Sequence, residues 1–359
     1  MPEVLLISKP IAPPWTDSNK NLVRDLAGAM TRWTPTVMTP AGVSLPGIAS
    51  VGLYPDVGRY APSRLANARV LARLVAGRRA DLWHFFFGPN PLTLRAGAAA
   101  RALRRVPTVH TIASAPDDLE RVAPLLFADA VVALSEHTAR RLAAVGVRAR
   151  VIPPAQRPVT SSAAAIARAR ERHGLPERYA LYPGDLEFSD GARTFLDAAA
   201  RGGGALGFVV ASRPKTPRAR EAARALSEAA RARGIALTLL GEIDDIHAVV
   251  AGATATTLVA DTLHAKMDLP LVLLESMWLG VPVVVASGTA AEALRAGGAL
   301  ATPPGDGAAL AEALRALAED PARRSEIAAQ ARAWVAAECA PEVVAARHEA
   351  LYDELRSSR

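Results

Sequence analysis

The sequence predicts an α/β protein of two Rossmann-like domains, each built on a doubly wound parallel sheet, that face a central cleft. Short apolar runs alternate with amphipathic stretches along the chain, which is the pattern of parallel strands joined by crossover helices. The 359 residues are too many for one core and suit two domains of this class. A proline-rich break near the middle separates two series of the pattern, so we expect one domain on each side of it.

The N-terminal domain is predicted over residues 1–155. Apolar runs predict strands at 4–8, 36–39, 82–87, 108–112, 130–134 and 150–152. Amphipathic stretches predict helices at 21–30, 63–76, 91–104 and 136–144. Ser135 directly precedes the last of these helices and is expected to cap it, because a serine side chain accepts hydrogen bonds from first-turn amides.

The C-terminal domain is predicted over residues 156–340. The residues from Pro153 to Ser162 include three prolines and cannot continue a strand or a helix, so the hinge is expected there. The pattern then restarts with strands at 179–183, 206–211, 236–240, 255–259 and 282–285, and with helices at 219–232, 307–317 and 321–338. Residues 341–359 are predicted to form a helix that crosses back to the N-terminal domain.

Composition narrows the class of protein. Half of the residues are apolar and 21% are charged, which argues against a disordered or fibrous chain. Cys339 is the sole cysteine, so no intrachain disulfide and no thiolate metal cluster can form, as expected for a cytoplasmic protein. No metal is expected, because ligand spacing is absent among His137, His173, His247, His264 and His348. Residues 269–291 are apolar enough to suggest a membrane span, but Pro270, Gly280 and Pro282 favour a helix, a turn and a buried strand.

The net charge of +7 is unevenly distributed. Residues 1–150 hold 19 basic and 10 acidic residues, a balance of +9, and the remainder holds 23 and 25, a balance of −2. The basic half suggests an anionic partner. This partner is a phosphorylated acceptor or the inner face of an anionic membrane, which the protein would contact peripherally. Arginines that only solvate the surface explain the excess equally well. Nucleic acid is not expected as a partner, because the excess is not clustered on one helix with a recognisable motif.

One segment resembles a known family. From Leu269 the chain reads Leu-Pro-Leu-Val-Leu-Leu-Glu-Ser-Met-Trp-Leu-Gly-Val-Pro-Val-Val-Val. This resembles the nucleotide-sugar segment of the retaining GT-B glycosyltransferases of family 4, or group 1, which include glycogen synthase-like enzymes. Residues 106–111, 131–136, 151–154, 182–184 with 190–191, and 287–292 are similar to other segments of the family, so the resemblance covers nearly the whole chain.

The resemblance implies a GT-B fold and a retaining, metal-independent glycosyltransferase without a cofactor. Such an enzyme moves a sugar from a nucleotide-diphosphate sugar, its substrate, to a hydroxyl of a glycan, a lipid-linked acceptor or a small molecule. The leaving phosphate acts as the base, so catalysis is positioning and stabilisation of charge. The donor is expected in the C-terminal domain and the acceptor in the N-terminal domain.

Three residues are the candidates for catalysis. Glu275 stands at a predicted helix start, where its carboxylate can accept hydrogen bonds from two ribose hydroxyls; the alternative is a glutamate that stabilises the helix dipole. His110 ends a buried strand, and the resemblance implies that it holds the donor sugar; the alternative is a core histidine. The family has a first motif glutamate where this chain has Met267, and Asp268 is the expected substitute.

Donor binding is expected of eight residues: Gly184, Arg193, Arg213, Lys215, Gly241, Leu271, Val272 and Glu275. The family has basic residues in its phosphate loop where this chain has Asp185 and Asp190. Because two carboxylates would repel a diphosphate, its charge must be met elsewhere. The candidates are the three basic residues of the set, which alternatively are solvated surface charges, and the helix amides near residues 271–273.

Acceptor binding is expected of Trp15, Asp17, Ser18 and Asn19, which stand where the family has a pair of glycines. The alternative for Trp15 is an aromatic side chain that covers the edge of the core. The departures at Met267 and in the phosphate loop also leave a second function open. In that hypothesis the chain is a degenerate GT-B protein that binds a glycan, a nucleotide or a protein partner without transferring sugar.

Overall fold

The computed structural model describes residues 1–55, 63–78, 80–113, 116, 118–184, 186–202, 206–214, 216–263 and 266–358. Its contacts divide the chain into two compact units. The N-terminal unit comprises Met1–Arg157, Lys266–Asp268 and Glu338–Arg359, and the C-terminal unit comprises Pro158–Ala265 and Leu269–Ala337. Each unit is a doubly wound parallel sheet with flanking helices, which confirms the predicted fold class of two Rossmann-like domains.

In the described part of the N-terminal unit, seven strands form one parallel sheet in the order β3-β2-β1-β4-β5-β6-β7. Its elements are β1 (Glu3–Ile7), α1 (Ser18–Ala29), β2 (Thr34–Pro40), β3 (Ala49–Tyr54), α2 (Arg64–Ala76), β4 (Leu82–Phe85), α3 (Pro91–Arg104), β5 (Thr108–Ile112), α4 (Leu119–Val122), the 3-10 turn Ala123–Leu125, β6 (Ala130–Ala133), α5 (Glu136–Ala144) and β7 (Ala149–Val151). The C-terminal helix Pro341–Ser357, α13 in chain order, also belongs to this unit.

In the C-terminal unit, the described residues place six strands in a second parallel sheet, in the order β10-β9-β8-β11-β12-β13. Its elements are α6 (Ala163–His173), β8 (Tyr179–Tyr182), α7 (Gly191–Arg201), β9 (Gly207–Ala211), α8 (Pro217–Ala232), β10 (Leu237–Leu240), α9 (Ile246–Ala251), β11 (Ala255–Leu258), α10 (Leu271–Leu279), β12 (Val283–Ala286), the 3-10 stretch Ala290–Gly297, β13 (Leu300–Thr302), α11 (Gly307–Glu319) and α12 (Pro321–Cys339), whose last two residues fall in the N-terminal unit.

Helix α13 packs into the N-terminal unit through buried polar contacts. The Glu349 carboxylate is 1% exposed and accepts hydrogen bonds from the backbone amides of Thr31, Arg32 and Trp33 at 2.7 to 3.0 Å. Tyr352 Oη lies 2.6 Å from Nδ1 of His84 in β4. Because an unpaired buried carboxylate is costly, three amide donors both stabilise Glu349 and fix the position of the helix.

Helix ends follow the capping signals of the sequence. The Ser135 side chain accepts a hydrogen bond from the amide of Thr138 at 3.1 Å, which confirms the predicted cap of α5.

Residues 269–291 include α10, a turn at Gly280 with φ of 71°, and β12, as predicted in place of a membrane span. No helix among the described residues has the length and apolarity needed to cross a bilayer.

Two strands escaped prediction, and both lie at the edge of a sheet. β3 is interrupted by Gly52 and is mostly exposed or half-buried, so it lacks an apolar run. β13 has three residues, of which only Thr302 is buried. An edge strand packs against one neighbour, so its sequence does not need the continuous apolar side chains that mark a central parallel strand.

Candidate functional site

The six parallel strands of the C-terminal unit all end at one edge of their sheet. The segments that follow β8, β9, β10 and β11 therefore begin along this carboxyl edge, where doubly wound sheets bind their ligands. These loops and the helices that begin in them contain most of the residues predicted to bind the donor. The structure places Gly184, Arg193, Arg213, Gly241, Leu271, Val272 and Glu275 in them, whereas Lys215 and Asp185 lie outside the described residues.

Glu275 is the fifth residue of α10, and its side chain is 15% exposed. Its Oε2 atom lies 3.6 Å from Nε2 of His247, which belongs to the neighbouring helix α9. The Glu275 carboxylate raises the pKa of His247 above its ordinary value, although partial burial opposes this. The two side chains thus form an ion pair whenever His247 is protonated, and one carboxylate oxygen of Glu275 remains to accept other hydrogen bonds.

The beginning of α10 has no side-chain cap. Pro270 occupies the N-cap position, and no side chain accepts a hydrogen bond from the first-turn amides. Leu271 is buried and Val272 is partly buried, so these residues offer backbone N–H groups rather than side-chain chemistry. Ser276 donates a hydrogen bond to the carbonyl of Val272 at 2.7 Å and lies 3.0 Å from Thr256 Oγ1, which attaches the helix to β11. The amides of a helix start favour an anion.

The loop after β8 is packed tightly against the next strand end. A Cβ atom at Gly191 would lie 2.9 Å from Cα of Ala260, closer than real Cβ atoms approach, so only glycine fits here. The backbone amide of Asp190 donates to Oδ1 of Asp261 at 2.9 Å. The Asp190 carboxylate pairs with Arg193 at 3.5 Å, and both side chains are exposed. The loop is therefore held by glycine packing, and one of its two unexpected carboxylates has a basic partner.

Arg213 follows β9, and its side chain is 27% exposed. Its Nη1 atom lies 3.2 Å from Oε1 of Glu242, in the loop after β10 next to Gly241. A Cβ atom at Gly241 would meet nothing within 4 Å, so this position faces open space. An exposed pair of this kind exchanges partners readily, because solvent screens it and its net energy is small.

In the N-terminal unit, His110 is the middle residue of β5 and not its end. The ring is fully buried, Nε2 donates to the carbonyl of Phe87 at 2.9 Å, and the ring centroids of His110 and Phe87 are 4.7 Å apart. Burial lowers the pKa of His110 to about 4, so the imidazole is neutral at pH 7. The expectation that the ring projects from a strand end is wrong, because the side chain at this register position points into the unit.

Asp268 belongs to the N-terminal unit, and Glu275 belongs to the C-terminal unit. Its carboxylate is buried and accepts a hydrogen bond from Ser135 Oγ at 2.8 Å. Its amide donates to the carbonyl of Ala113 at 2.9 Å. These two contacts place Asp268 at the carboxyl ends of β5 and β6.

The predicted acceptor residues occupy the loop after β1 and the start of α1. Asp17 caps α1 by accepting from the amides of Asn19 and Lys20 at 2.9 and 3.4 Å, and it pairs with Lys9 at 3.1 Å. Burial raises the pKa of Asp17, but Lys9 and the two amides outweigh it, and the pKa falls below its ordinary value.

The other acceptor candidates differ in their exposure. Arg24 lies over the ring of Trp15 at 4.6 Å from its centroid. Ser18 is exposed and Asn19 is half-buried, so their side chains can reach a ligand.

His247 and Glu242 belong to the C-terminal group but were not predicted. Glu242 lies in the loop between β10 and α9, and His247 lies at the start of α9, so their position at the carboxyl edge is the one signal that the sequence offers. The partner of each residue comes from another loop or helix, which a single sequence does not reveal.

Comparison with known families matches both halves of the chain. Residues 177–320 match the model described as Glycosyl transferases group 1, and residues 20–156 match that described as Glycosyltransferase Family 4. Together the two matches cover more than three quarters of the sequence. No curated protein matches the chain.

Solved structures of similar fold span the whole chain. HepE from Anabaena, in complex with UDP and glucose, is 18% identical, with a TM-score of 0.79 and coverage of 99% of this chain and 100% of that one. Sucrose-phosphate synthase from Thermosynechococcus elongatus is 22% identical, with a TM-score of 0.78 and full coverage of both chains. A UDP-forming α,α-trehalose-phosphate synthase from Burkholderia vietnamiensis is 16% identical, with a TM-score of 0.75 and coverage of 99% and 98%. At these identities the likeness establishes the fold.

Proposed function

Because this chain belongs to the group 1, family 4 glycosyltransferases, we propose that it transfers a sugar from a nucleotide-diphosphate sugar to an acceptor hydroxyl with retention of anomeric configuration. Solved relatives in complex with UDP and with UDP-glucose support a donor of this class. The acceptor that we propose is a hydroxyl of a glycan, a lipid-linked sugar or a small molecule.

The position and low exposure of the Glu275 carboxylate are the main support for this proposal. Its carboxylate lies near the carboxyl edge of the C-terminal sheet, is largely shielded from solvent, and has an oxygen that His247 does not contact. A carboxylate in this setting can bind the two hydroxyls of a ribose, because its two oxygens offer about four acceptor sites and His247 contacts only one oxygen. A glutamate that only stabilised its helix would lie in the first turn, whereas Glu275 is the fifth residue of α10.

The diphosphate of the donor is met by groups of the chain itself. The amides of Leu271 and Val272 at the start of α10 can donate to an anion, and Arg213 can leave the exposed Glu242 for a phosphate, to which a guanidinium binds in a bidentate manner. Asp190 is offset by Arg193. We therefore propose that transfer is metal-independent, and that activity persists when a chelator removes divalent cations.

The transfer step needs no protein nucleophile in this proposal. The bond from the anomeric carbon to the β-phosphate oxygen breaks, and the acceptor oxygen forms the new bond on the same face of the sugar. The proton of the acceptor hydroxyl passes to the leaving phosphate, so atoms and charge balance. The chain contributes positioning and stabilises the charge that develops on the diphosphate.

The test is calorimetry of the full chain with a panel of nucleoside diphosphates and nucleotide sugars, followed by a transfer assay. We expect one nucleoside diphosphate to bind, with a loss of about 100-fold in Glu275→Ala, because two hydrogen bonds to a charged group are removed. Glu312→Ala changes an exposed glutamate of α11 and is the matched control. Equal binding by both variants would refute the role of Glu275, and an inverted product anomer would refute retention.

One observation favours the second function, a GT-B protein that binds without transferring sugar. Met267 replaces the first motif glutamate and is buried, and the neighbouring Asp268 is engaged with Ser135. Nucleotide-sugar binding without turnover, over the full panel of donors and acceptors, would select this function over the enzyme.

A further inference from the structure

One face of helix α3 carries exposed leucines. Leu92 is 75% exposed and Leu103 is 65% exposed. The two residues are eleven positions apart, which is three helical turns, so they lie on one stripe of the helix. Arg95 and the small residues Ala99 and Ala102 occupy the exposed positions between them. The stripe therefore presents two large apolar side chains to solvent with a basic side chain between them.

Helix α2 is a neighbour of α3 and presents a similar outer side. Leu65 is 60% exposed and Leu71 is 36% exposed, with Arg64 and Arg69 exposed on the same side. The inner side of α2 is buried through Ala66 and Leu74, in the same core cluster as Ala100 of α3. The exposed leucines are therefore surplus to the fold, because each helix already has a buried face.

The charge of this region is strongly one-sided. Residues 63–105 contain nine arginines and one acidic residue, Asp81, a balance of +8. Some of these arginines have structural partners: Arg101 pairs with Asp129, and Arg78 pairs with Glu3. Arg64, Arg69 and Arg95 take part in no ion pair among the described residues, and their side chains are exposed next to the leucines.

We propose that the outer face of α2 and α3, defined by Leu65, Leu92, Leu103, Arg64, Arg69 and Arg95, docks on an anionic lipid surface. Leucines enter the boundary between headgroups and acyl chains while arginines contact lipid phosphates, which is how an amphipathic basic surface binds a membrane. The charge complementarity selects this occupant.

Two other occupants fit the face less well. A second copy of the chain would bring one set of unpaired arginines against the same set, which is repulsive. Nucleic acid would match the arginines, but single strands are bound by stacking on aromatic side chains, and the exposed large apolar residues of these two helices are leucines.

The inference is independent of the proposed sugar transfer, because it uses only the outer helices of the N-terminal unit. The test is co-sedimentation of the full chain with vesicles of phosphatidylcholine, with and without one-third phosphatidylglycerol. We expect tight binding only to the anionic vesicles and a decrease as salt is raised. Since each arginine near such a surface contributes about fivefold in affinity, Arg64→Gln, Arg69→Gln and Arg95→Gln together should weaken binding about 100-fold.

The matched control is the triple variant Arg218→Gln, Arg220→Gln and Arg224→Gln on α8, which removes the same charge from exposed positions of the C-terminal unit. It should retain the wild-type affinity for vesicles. A further triple variant, Leu65→Gln, Leu92→Gln and Leu103→Gln, should weaken binding about tenfold or more while the charge is unchanged. All variants should keep the wild-type thermal unfolding midpoint, since the changed side chains are exposed.

Four outcomes would overturn the proposal. The first two are equal binding to neutral and anionic vesicles, and a loss of vesicle affinity in the α8 control as large as in the α2 and α3 arginine variant. The other two are a lipid-free dimer that the leucine variant dissociates, and binding to an oligonucleotide as tight as binding to the anionic vesicles at the same salt. Nucleotide calorimetry on the same samples shows separately whether the donor site is intact.

Discussion

The carboxyl edges of the two sheets use polar residues in opposite ways. In the N-terminal unit, His110 and Asp268 are buried and their hydrogen bonds go to Phe87, Ser135 and other groups of that unit. In the C-terminal unit, Glu275, His247 and Arg213 are 15% to 43% exposed in their side chains. The polar side chains of the first edge are buried, although Nδ1 of His110 has no hydrogen-bond partner among the described residues, whereas the second edge holds charged side chains that a ligand can reach.

A position at a strand end does not by itself make a residue a ligand contact. The deciding quantities are the exposure of the side chain and whether its partners are fixed. A buried acid with a short hydrogen bond is costly to disturb, whereas an exposed pair costs little to open. Changes in the N-terminal group should therefore act mainly on stability, and changes in the C-terminal group mainly on ligand binding.

The largest expected effect is the response of stability to acid. His84, His110 and His348 are fully buried, and burial lowers their pKa values, to about 4 for His110 and about 3 for His348. Below about pH 6.5 the unfolded chain binds three protons that the folded chain does not, so the free energy of unfolding should fall by about 4 kcal/mol per pH unit near pH 5. Urea unfolding followed by tryptophan fluorescence at pH 7.5, 6 and 5 measures this.

Acid should lower the free energy of unfolding because burial lowers the pKa values of these three histidines in the folded state. Above pH 6.5 both states are neutral at these histidines and stability is unaffected by them; stability is lost as the pH falls toward 4. His348→Phe should remove about one third of the slope, because it removes one of the three protons. Equal unfolding midpoints at pH 7.5 and 5 would contradict the prediction.

The next effect concerns the attachment of α13. Glu349→Ala leaves three backbone amides without their acceptor and should lower the free energy of unfolding by about 3 kcal/mol. Glu349→Gln keeps a neutral acceptor and should lose about 1 kcal/mol. Chemical denaturation at pH 7.5 provides the values. Glu342→Ala, at an exposed position of the same helix, is the control, and a loss as large as in Glu349→Ala would show that the amide contacts are unimportant.

A pair of acid substitutions tests the comparison directly. Asp268→Ala removes a buried carboxylate that Ser135 contacts and should cost about 2 kcal/mol of stability. Glu275→Ala removes an ion pair with the half-exposed His247 and should lower the free energy of unfolding by no more than about 1 kcal/mol while it weakens nucleotide binding. Denaturation and calorimetry on both variants give the four values. If Asp268→Ala abolished turnover at unchanged stability, Asp268 would have the catalytic role expected from its neighbourhood in the sequence.

The smallest effect is the pH dependence of nucleotide binding. The Glu275 carboxylate raises the pKa of His247, so the imidazole loses its proton at a higher pH than an ordinary histidine does. The loss of that proton removes a positive charge beside the site. On the opposite side of α9, Asp245 is paired with His173 at 2.8 Å and lies 3.9 Å from Arg172. Affinity for a nucleoside diphosphate should fall severalfold from pH 6 to 8.5, as calorimetry can show, and His247→Gln should abolish this change. A His247→Gln variant with the wild-type pH profile would assign the titration to another group.

Much of the fold could be predicted from the sequence, because central parallel strands need unbroken apolar runs and helix starts need capping residues. Both limits of α3 and α5 and the first residue of α13 agree with the predicted positions, which begin at Pro91, directly after Ser135 and at Pro341. The edge strands β3 and β13 were missed because they need neither signal.

The sites were harder to predict for a physical reason. Glu275 was singled out by its motif, but its contact with His247 depends on how α9 packs against α10, and those residues are 28 positions apart. The direction of the His110 ring and the partner of Asp268 likewise depend on contacts between residues distant in sequence. Motifs indicate which residues to consider, and packing decides what each side chain meets.

The contact of Glu349 with residues 31–33 also has a consequence for biosynthesis. The segment that completes the N-terminal unit is translated only after every residue of the C-terminal unit has been made. On the ribosome, the C-terminal unit can therefore fold while the first sheet still lacks its last helix. A nascent chain halted before residue 341 should expose the surface around Trp33 that α13 covers. We expect chaperones to bind the nascent chain at that surface.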